Sequence, residues 1–163
     1  MGLEVVVSPP EVSRPTLEVV LATYNGADCL EQQLQSLHQQ WKQPDQLIVQ
    51  DDGSNDGTAA ILLDWSERHP NWIRQLPSSA QRLGPKTMFS TLLSITTAPY
   101  VALCDQDDVW KPQRLLHGLN LIQSIEQRCP KDPISPSSST AMLNSLMPMV
   151  IHSPKHFAMA SRG

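Results

Sequence analysis

Two carboxylates at alternate positions, Asp105 and Asp107, stand just beyond the apolar run Tyr100-Val101-Ala102-Leu103-Cys104, and a second acidic pair, Asp51-Asp52, closes the run Gln46-Leu47-Ile48-Val49-Gln50. Carboxylates at the ends of buried strands are costly unless they bind something. Asp105-Gln106-Asp107 is an array of hard oxygens suited to Mg²⁺ or Mn²⁺, ions that take one or two protein carboxylates and complete their shell with substrate phosphates. A plain solvated acidic turn is the rival reading. The apolar strand before the motif and the helix entry Asp108-Val109-Trp110-Lys111-Pro112 after it favour a functional one.

The other acidic turn runs Asp51-Asp52-Gly53-Ser54-Asn55-Asp56-Gly57-Thr58. A carboxylate here can accept the N3–H of a uracil or thymine ring, and Gly53 lets a base come close to the backbone. Read as a calcium loop from Asp52 it fails, because its twelfth position is Leu63 where a bidentate Glu is required. Asp56 or Thr58 is also placed to cap the helix that follows. A third apolar run ends in Ala22-Thr23-Tyr24-Asn25, where Tyr24 offers a flat face for a base and the adjacent hydroxyl and amide supply orienting hydrogen bonds; simple strand-end packing is the alternative.

These groups need elements to hold them. Leu17–Ala22 reads as a buried strand entering the Asn25-Gly26 turn, and Leu30, Leu34, Leu37 and Trp41 then mark one face of a helix, with Asn25 or Asp28 available to cap it and Pro44 closing it. Gln46–Gln50 is a second strand, parallel to the first. A helix over Thr58–Arg68 and a short strand over Asn71–Leu76 come next, followed by a helix over Pro85–Ile95 and a strand over Tyr100–Cys104. Pro112 sits at a first helical position, and Leu115, Leu116, Leu119 and Ile122 carry a fourth helix to about Arg128. The alternation defines an α/β fold, a mostly parallel sheet flanked by helices, and the carboxyl ends of its strands form one ligand crevice.

Residues 1–16, with Pro9, Pro10 and Pro15, read as a flexible leader, and 17–128 as the folded domain. From about residue 129 the composition turns to proline and serine, which predicts a loop-like tail in which Met147–His152 adds a weak strand. At 163 residues and 40% apolar composition the chain is one globular domain's worth. A net charge of -4 and 12 scattered Lys and Arg residues give no footprint for nucleic acid. No apolar stretch reaches the roughly 18 residues that cross a bilayer. Cys29, Cys104 and Cys129 lack metal-type spacing and fit buried thiols in a cytoplasmic setting, with peripheral attachment at the inner membrane face as the alternative.

The motifs VVLATYNGADCLEQQLQSL, QLIVQDDGSNDGT, LGPKTMF and YVALCDQDDVWKPQRL, in that order from Leu17 to about Arg128, resemble the nucleotide-binding half of family 2 glycosyltransferases. The likeness is strongest to bacterial enzymes that pass rhamnose or similar sugars to a growing polysaccharide. It implies a Rossmann-like GT-A fold, here incomplete at the C-terminus. It implies that Ala22, Thr23, Tyr24, Asn25, Asp51, Asp52, Gly53, Lys86 and Asp105 line a UDP- or dTDP-sugar, with Tyr24 stacking on the base and Asp52 reading it. Asp107, with Asp105, would hold the metal. Lys86 could oppose the diphosphate charge or be only an exposed lysine in a first helical turn. Trp110 reads as a packing residue that shapes the acceptor mouth, and His38 and His117 fall in helices away from catalysis.

In such enzymes a hydroxyl of a glycan or lipid-linked acceptor attacks the anomeric carbon with inversion, and a separate carboxylate takes its proton. That base belongs to a later acidic motif which does not follow here; Asp132 is the one carboxylate side chain after residue 128. The expectation is a truncated or frame-shifted member, impaired in transfer and open to self-association. A non-catalytic nucleotide-binding module remains as the second class. A phospho-acceptor receiver domain is disfavoured because its acidic pair should follow the first strand.

Overall fold

The computed structural model describes residues 17–128 and, as backbone, 150–152. Along the chain come β1 (Leu17–Thr23), α1 (Ala27–His38), β2 (Gln46–Asp51), α2 (Thr58–Arg68), β3 (Ile73–Gln75), α3 (Pro85–Ile95), β4 (Tyr100–Cys104), α4 (Arg114–Arg128) and β5 (Val150–His152). The sheet order is β3-β2-β1-β4-β5. The first four strands are mutually parallel, and β5 runs antiparallel to β4.

Every residue of β1 is buried, the mark of a central strand covered on both faces. Because side chains alternate, Leu17, Val19 and Leu21 pack with Leu47, Val49, Ala102 and Cys104 beneath α1, α2 and α4. Val20, Ala22, Ile48 and Val101 meet Met88 and Leu92 of α3 on the other face. Right-handed crossovers require this division. The first two connections step outward from β1, whereas the one through α3 returns past β1 and must cross the opposite face. Burying each leucine of α1 that faces the sheet (Leu30, Leu34, Leu37, all 0% exposed) contributes about 1.5–3 kcal/mol relative to exposure.

Several boundaries differ from those read in the sequence. Helix α1 stops at His38, so Trp41 lies beyond it and is 70% exposed. Gln40 takes the buried position instead; its amide donates to the carbonyls of Ser36 and Lys111 and accepts from Leu115 N. Neither Asn25 nor Asp28 caps α1: Gly26 is the N-cap residue, and the first helical N–H, of Ala27, donates to Asp56 across the gap between two loops. Strand β3 is shorter than predicted because Trp72 N–H is drawn into a turn on the His69 carbonyl. Helix α4 begins at Arg114, two residues after Pro112, once a turn from Lys111 has closed. Strand β5 falls within the predicted Met147–His152 segment. The leader and the rest of the tail lie outside the described residues. Among those residues no helix is long and apolar enough to cross a membrane.

Candidate functional site

The direction of the connections reverses between β1 and β4, which opens a crevice beyond their carboxyl ends. The turns after β1, β2 and β4 meet there, so the structure brings together Tyr24, Asp51, Asp52, Asp105 and Asp107.

The turn after β1 is stapled to the turn after β2. Three successive backbone N–H groups, of Asn25, Gly26 and Ala27, donate to Ser54 Oγ, Thr58 Oγ1 and Asp56 Oδ2 at 2.8, 2.9 and 3.1 Å. Asn25, in the left-handed region at φ 46°, accepts from Asn55 N in return. Asp56 also accepts from Thr58 N, so this one carboxylate serves the first turns of α1 and α2. Hydrogen bonds from Thr58 hold its carboxyl below the usual aspartate range.

Asp51 and Asp52 are both buried, and each has an internal task. Asp51 accepts from Thr23 Oγ1 at 3.0 Å and from the Ser54 N–H and hydroxyl, tying β1 to the turn after β2. Thr23 itself is buried, as is Ala22, so these two support the crevice from below. The oxygens of Asp52 accept from Leu83 N at 2.7 Å and Gly84 N at 2.8 Å. The carboxylate therefore sits at the amino end of α3, where the helix dipole favours it. Each oxygen retains a lone pair. Gly53, at φ 78°, turns the chain back; a Cβ there would lie 3.3 Å from the Ser79 carbonyl oxygen, so the residue needs both the conformation and the space.

The turn after β4 carries Asp105 and Asp107, both exposed. Asp105 accepts from Gln106 N at 2.9 Å, while Asp107 has no hydrogen bond or ion pair among the described residues. Cys29 in the first turn of α1 faces this loop: burial, then the charge of Asp107, pushes its thiol up. No group of three or more His, Cys, Asp or Glu side chains converges among the described residues. The donor set is a pair of exposed hard-oxygen ligands, which suits an ion that draws its remaining ligands from phosphate and water.

Gln106, between the two acids, was not singled out in the sequence. Its amide brackets Tyr24: Oε1 accepts from Tyr24 N at 2.8 Å, and Nε2 donates to Tyr24 O at 3.0 Å. A Cβ on Gly26 would lie 2.6 Å from Gln106 Cδ, so only glycine admits this bracket. Its position within Asp-Gln-Asp-Asp was the available signal. Arg82, also missed, lies over the Tyr24 ring with Cζ 4.0 Å from the centroid. Lys86 is exposed in the first turn of α3, beside the Asp52 clamp. Trp110 packs in the core, its backbone N–H donating to Ser36 Oγ and the Arg114 guanidinium stacked on its ring. His38 packs against Trp65, His69 and Trp72, remote from these turns in the chain, and His117 is exposed on α4.

A mostly parallel α/β sheet flanked by helices, with acidic turns gathered at its switch point, defines a Rossmann-like domain. Residues 18–132 match the model of glycosyl transferase family 2, and the chain belongs to that family. It is 28% identical over 108 residues to an uncharacterized glycosyltransferase of Nostoc, covering 66% of this chain and 33% of the relative. It is 28% identical over 112 residues to the dTDP-rhamnosyl transferase RfbG of Shigella flexneri, covering 67% and 39%. Among solved structures it resembles the mannosyltransferase PcManGT of Pyrobaculum calidifontis, solved with GDP-Man and Mn²⁺, at 28% identity and a TM-score of 0.58, covering 70% of this chain and 34% of that one. The fold is thus the GT-A fold. The chain spans between a third and two fifths of the length of these relatives.

Proposed function

We propose that this chain forms the donor half of a glycosyltransferase and binds a nucleoside-diphosphate sugar across the carboxyl ends of β1, β2 and β4. The single observation that carries this reading is the convergence of Tyr24, Asp52 and the Asp105–Asp107 pair at the switch point of the sheet. Tyr24 supplies the stacking face, and Gln106 fixes its backbone. Asp52 sets the floor and offers its remaining lone pairs to the base edge; Gly53 keeps that edge clear. Thr23, Ala22 and Asp51 hold the floor rigid, and Asn25 and Asp51 join it to the neighbouring turn.

Asp107 and Asp105 would hold Mg²⁺ or Mn²⁺, in keeping with the Mn²⁺ of the mannosyltransferase. When bound, such an ion neutralises charge on the departing diphosphate. Lys86 adds a cation at the same end of α3. The similarity to a dTDP-rhamnosyl transferase supports a rhamnosyl-type donor. In this reading the sugar passes with inversion to a glycan or lipid-linked acceptor in polysaccharide assembly. Work on the cytoplasmic side, peripheral to the membrane, fits that role.

A nucleotide-binding module without turnover is the second reading. Its support is that the acids gathered at the crevice, Asp52, Asp105 and Asp107, are all assigned to the donor in this reading. Incubation with UDP-, dTDP- and GDP-sugars and lipid-linked acceptors separates the two. Acceptor-dependent release of nucleoside diphosphate establishes transfer, and binding without release establishes the module.

A further inference from the structure

One face of the ring of Tyr24, the residue on which a donor base would stack, is already covered. Arg82 lies over that ring with its guanidinium carbon 4.0 Å from the centroid, too close for a flat ring to enter between them. Arg82 is exposed and forms no ion pair among the described residues. Among the described residues Arg82 is held by its stacking on Tyr24, a weak attachment at an exposed position.

The backbone on either side of Arg82 is fixed by contrast. Ser79 N–H donates to the Asp51 carbonyl at 3.0 Å, and the Gln50 amide donates to the Pro77 carbonyl at 3.2 Å. Immediately after Arg82, the N–H groups of Leu83 and Gly84 are both held by Asp52. A ligand arriving at Tyr24 thus displaces a side chain that pivots on an anchored loop. The long arginine stem can carry its planar fork of five N–H donors to a neighbouring anion.

We propose that Arg82 occupies two positions in the donor site. With the site empty its guanidinium covers Tyr24; with donor bound, the base takes the ring and the guanidinium engages the diphosphate. The inference rests on the reading of the crevice as a nucleoside-diphosphate site. It makes Arg82 a competitor of the base and an anchor for the phosphates, so its removal has opposite effects on two ligands that share a base.

Calorimetric titration of the full chain and of Arg82→Ala with uridine and UDP, thymidine and dTDP, and guanosine and GDP, at fixed Mn²⁺, tests this. For the base that the chain accepts, Arg82→Ala is expected to bind the nucleoside roughly two- to fivefold more tightly, because the stacked competitor is gone. It is expected to bind the diphosphate about tenfold or more weakly, because a charge-assisted contact is lost. Arg82→Lys, which keeps the charge without the planar fork, should recover part of the diphosphate affinity. Parallel shifts for nucleoside and diphosphate, or no shift in either, would overturn the proposal while leaving the donor site standing. Failure of the unaltered chain to bind any of the six ligands would overturn the donor-site reading and this inference with it.

Discussion

Gln106 holds Tyr24 by both of its backbone polar groups, accepting from the N–H at 2.8 Å and donating to the carbonyl at 3.0 Å. The residue between the two candidate metal ligands thereby fixes the residue that offers a stacking face. The turn after β4 and the turn after β1 are thus tied directly to each other.

Replacing Gln106 by alanine removes both bonds, each worth about 1 kcal/mol net. Gln106→Ala is expected to lower stability by roughly 1–2 kcal/mol and to weaken nucleoside diphosphate binding severalfold, although the side chain need not touch the ligand. Gly26→Ala, which drives a methyl group into the Gln106 amide, should reproduce both effects. Denaturant unfolding and calorimetry of the two variants check this.

The acidic staple makes a pH prediction. Asp56 has a lowered pKa in the fold, owing first to the Thr58 side chain and then to the Thr58 N–H. A depressed carboxyl stabilises above its unfolded value of 3.8, and that contribution is lost as pH falls through the folded value. Asp56→Asn should therefore be less stable than the unaltered chain at neutral pH, and the gap should close in acid below the normal aspartate range. Denaturation midpoints of both proteins across that range measure it.

At the far end of β4 the sign reverses. Burial first, and then the bond to Glu126 at 2.7 Å, push the Tyr100 phenol to about 12 from its ordinary 10.0. A raised phenol stabilises fully below the unfolded value and ceases to do so as pH rises through the folded one. Stability should thus fall between pH 10 and about 12 more steeply in the unaltered chain than in Tyr100→Phe. Alkaline unfolding followed by circular dichroism checks it.

The parts of this design that are local were legible in the sequence. Pro85 and the spacing of Ile61, Leu62 and Trp65 announce α3 and α2, whose bounds agree with the prediction. Spacing alone misled at Trp41, because a periodic pattern can continue past the point where the backbone leaves the helix. There the Gln40 amide, besides the Ser36 carbonyl of α1, found two partners more than 70 residues away, Lys111 and Leu115, and a periodic reading cannot anticipate them. The carboxylates Asp51 and Asp52 were visible by type. Their partners Thr23, Leu83 and Gly84 are 28 to 32 residues away, so the internal use of both acids emerges only from the fold. Buried Glu18 is another such case, satisfied by the N–H and hydroxyl of Thr97 from 79 residues away. Arg82 had no sequence signal at all, since nothing in its surroundings points to Tyr24.

The most direct test of the donor-site account is calorimetric titration of the chain and of Asp107→Asn with UDP, dTDP and GDP, with and without Mn²⁺. The account predicts that at least one of these nucleotides binds the unaltered chain, that Mn²⁺ tightens the binding, and that Asp107→Asn abolishes the metal effect while leaving the fold intact. Binding of none of the three, or binding equally strong without Mn²⁺ and in Asp107→Asn, would contradict it.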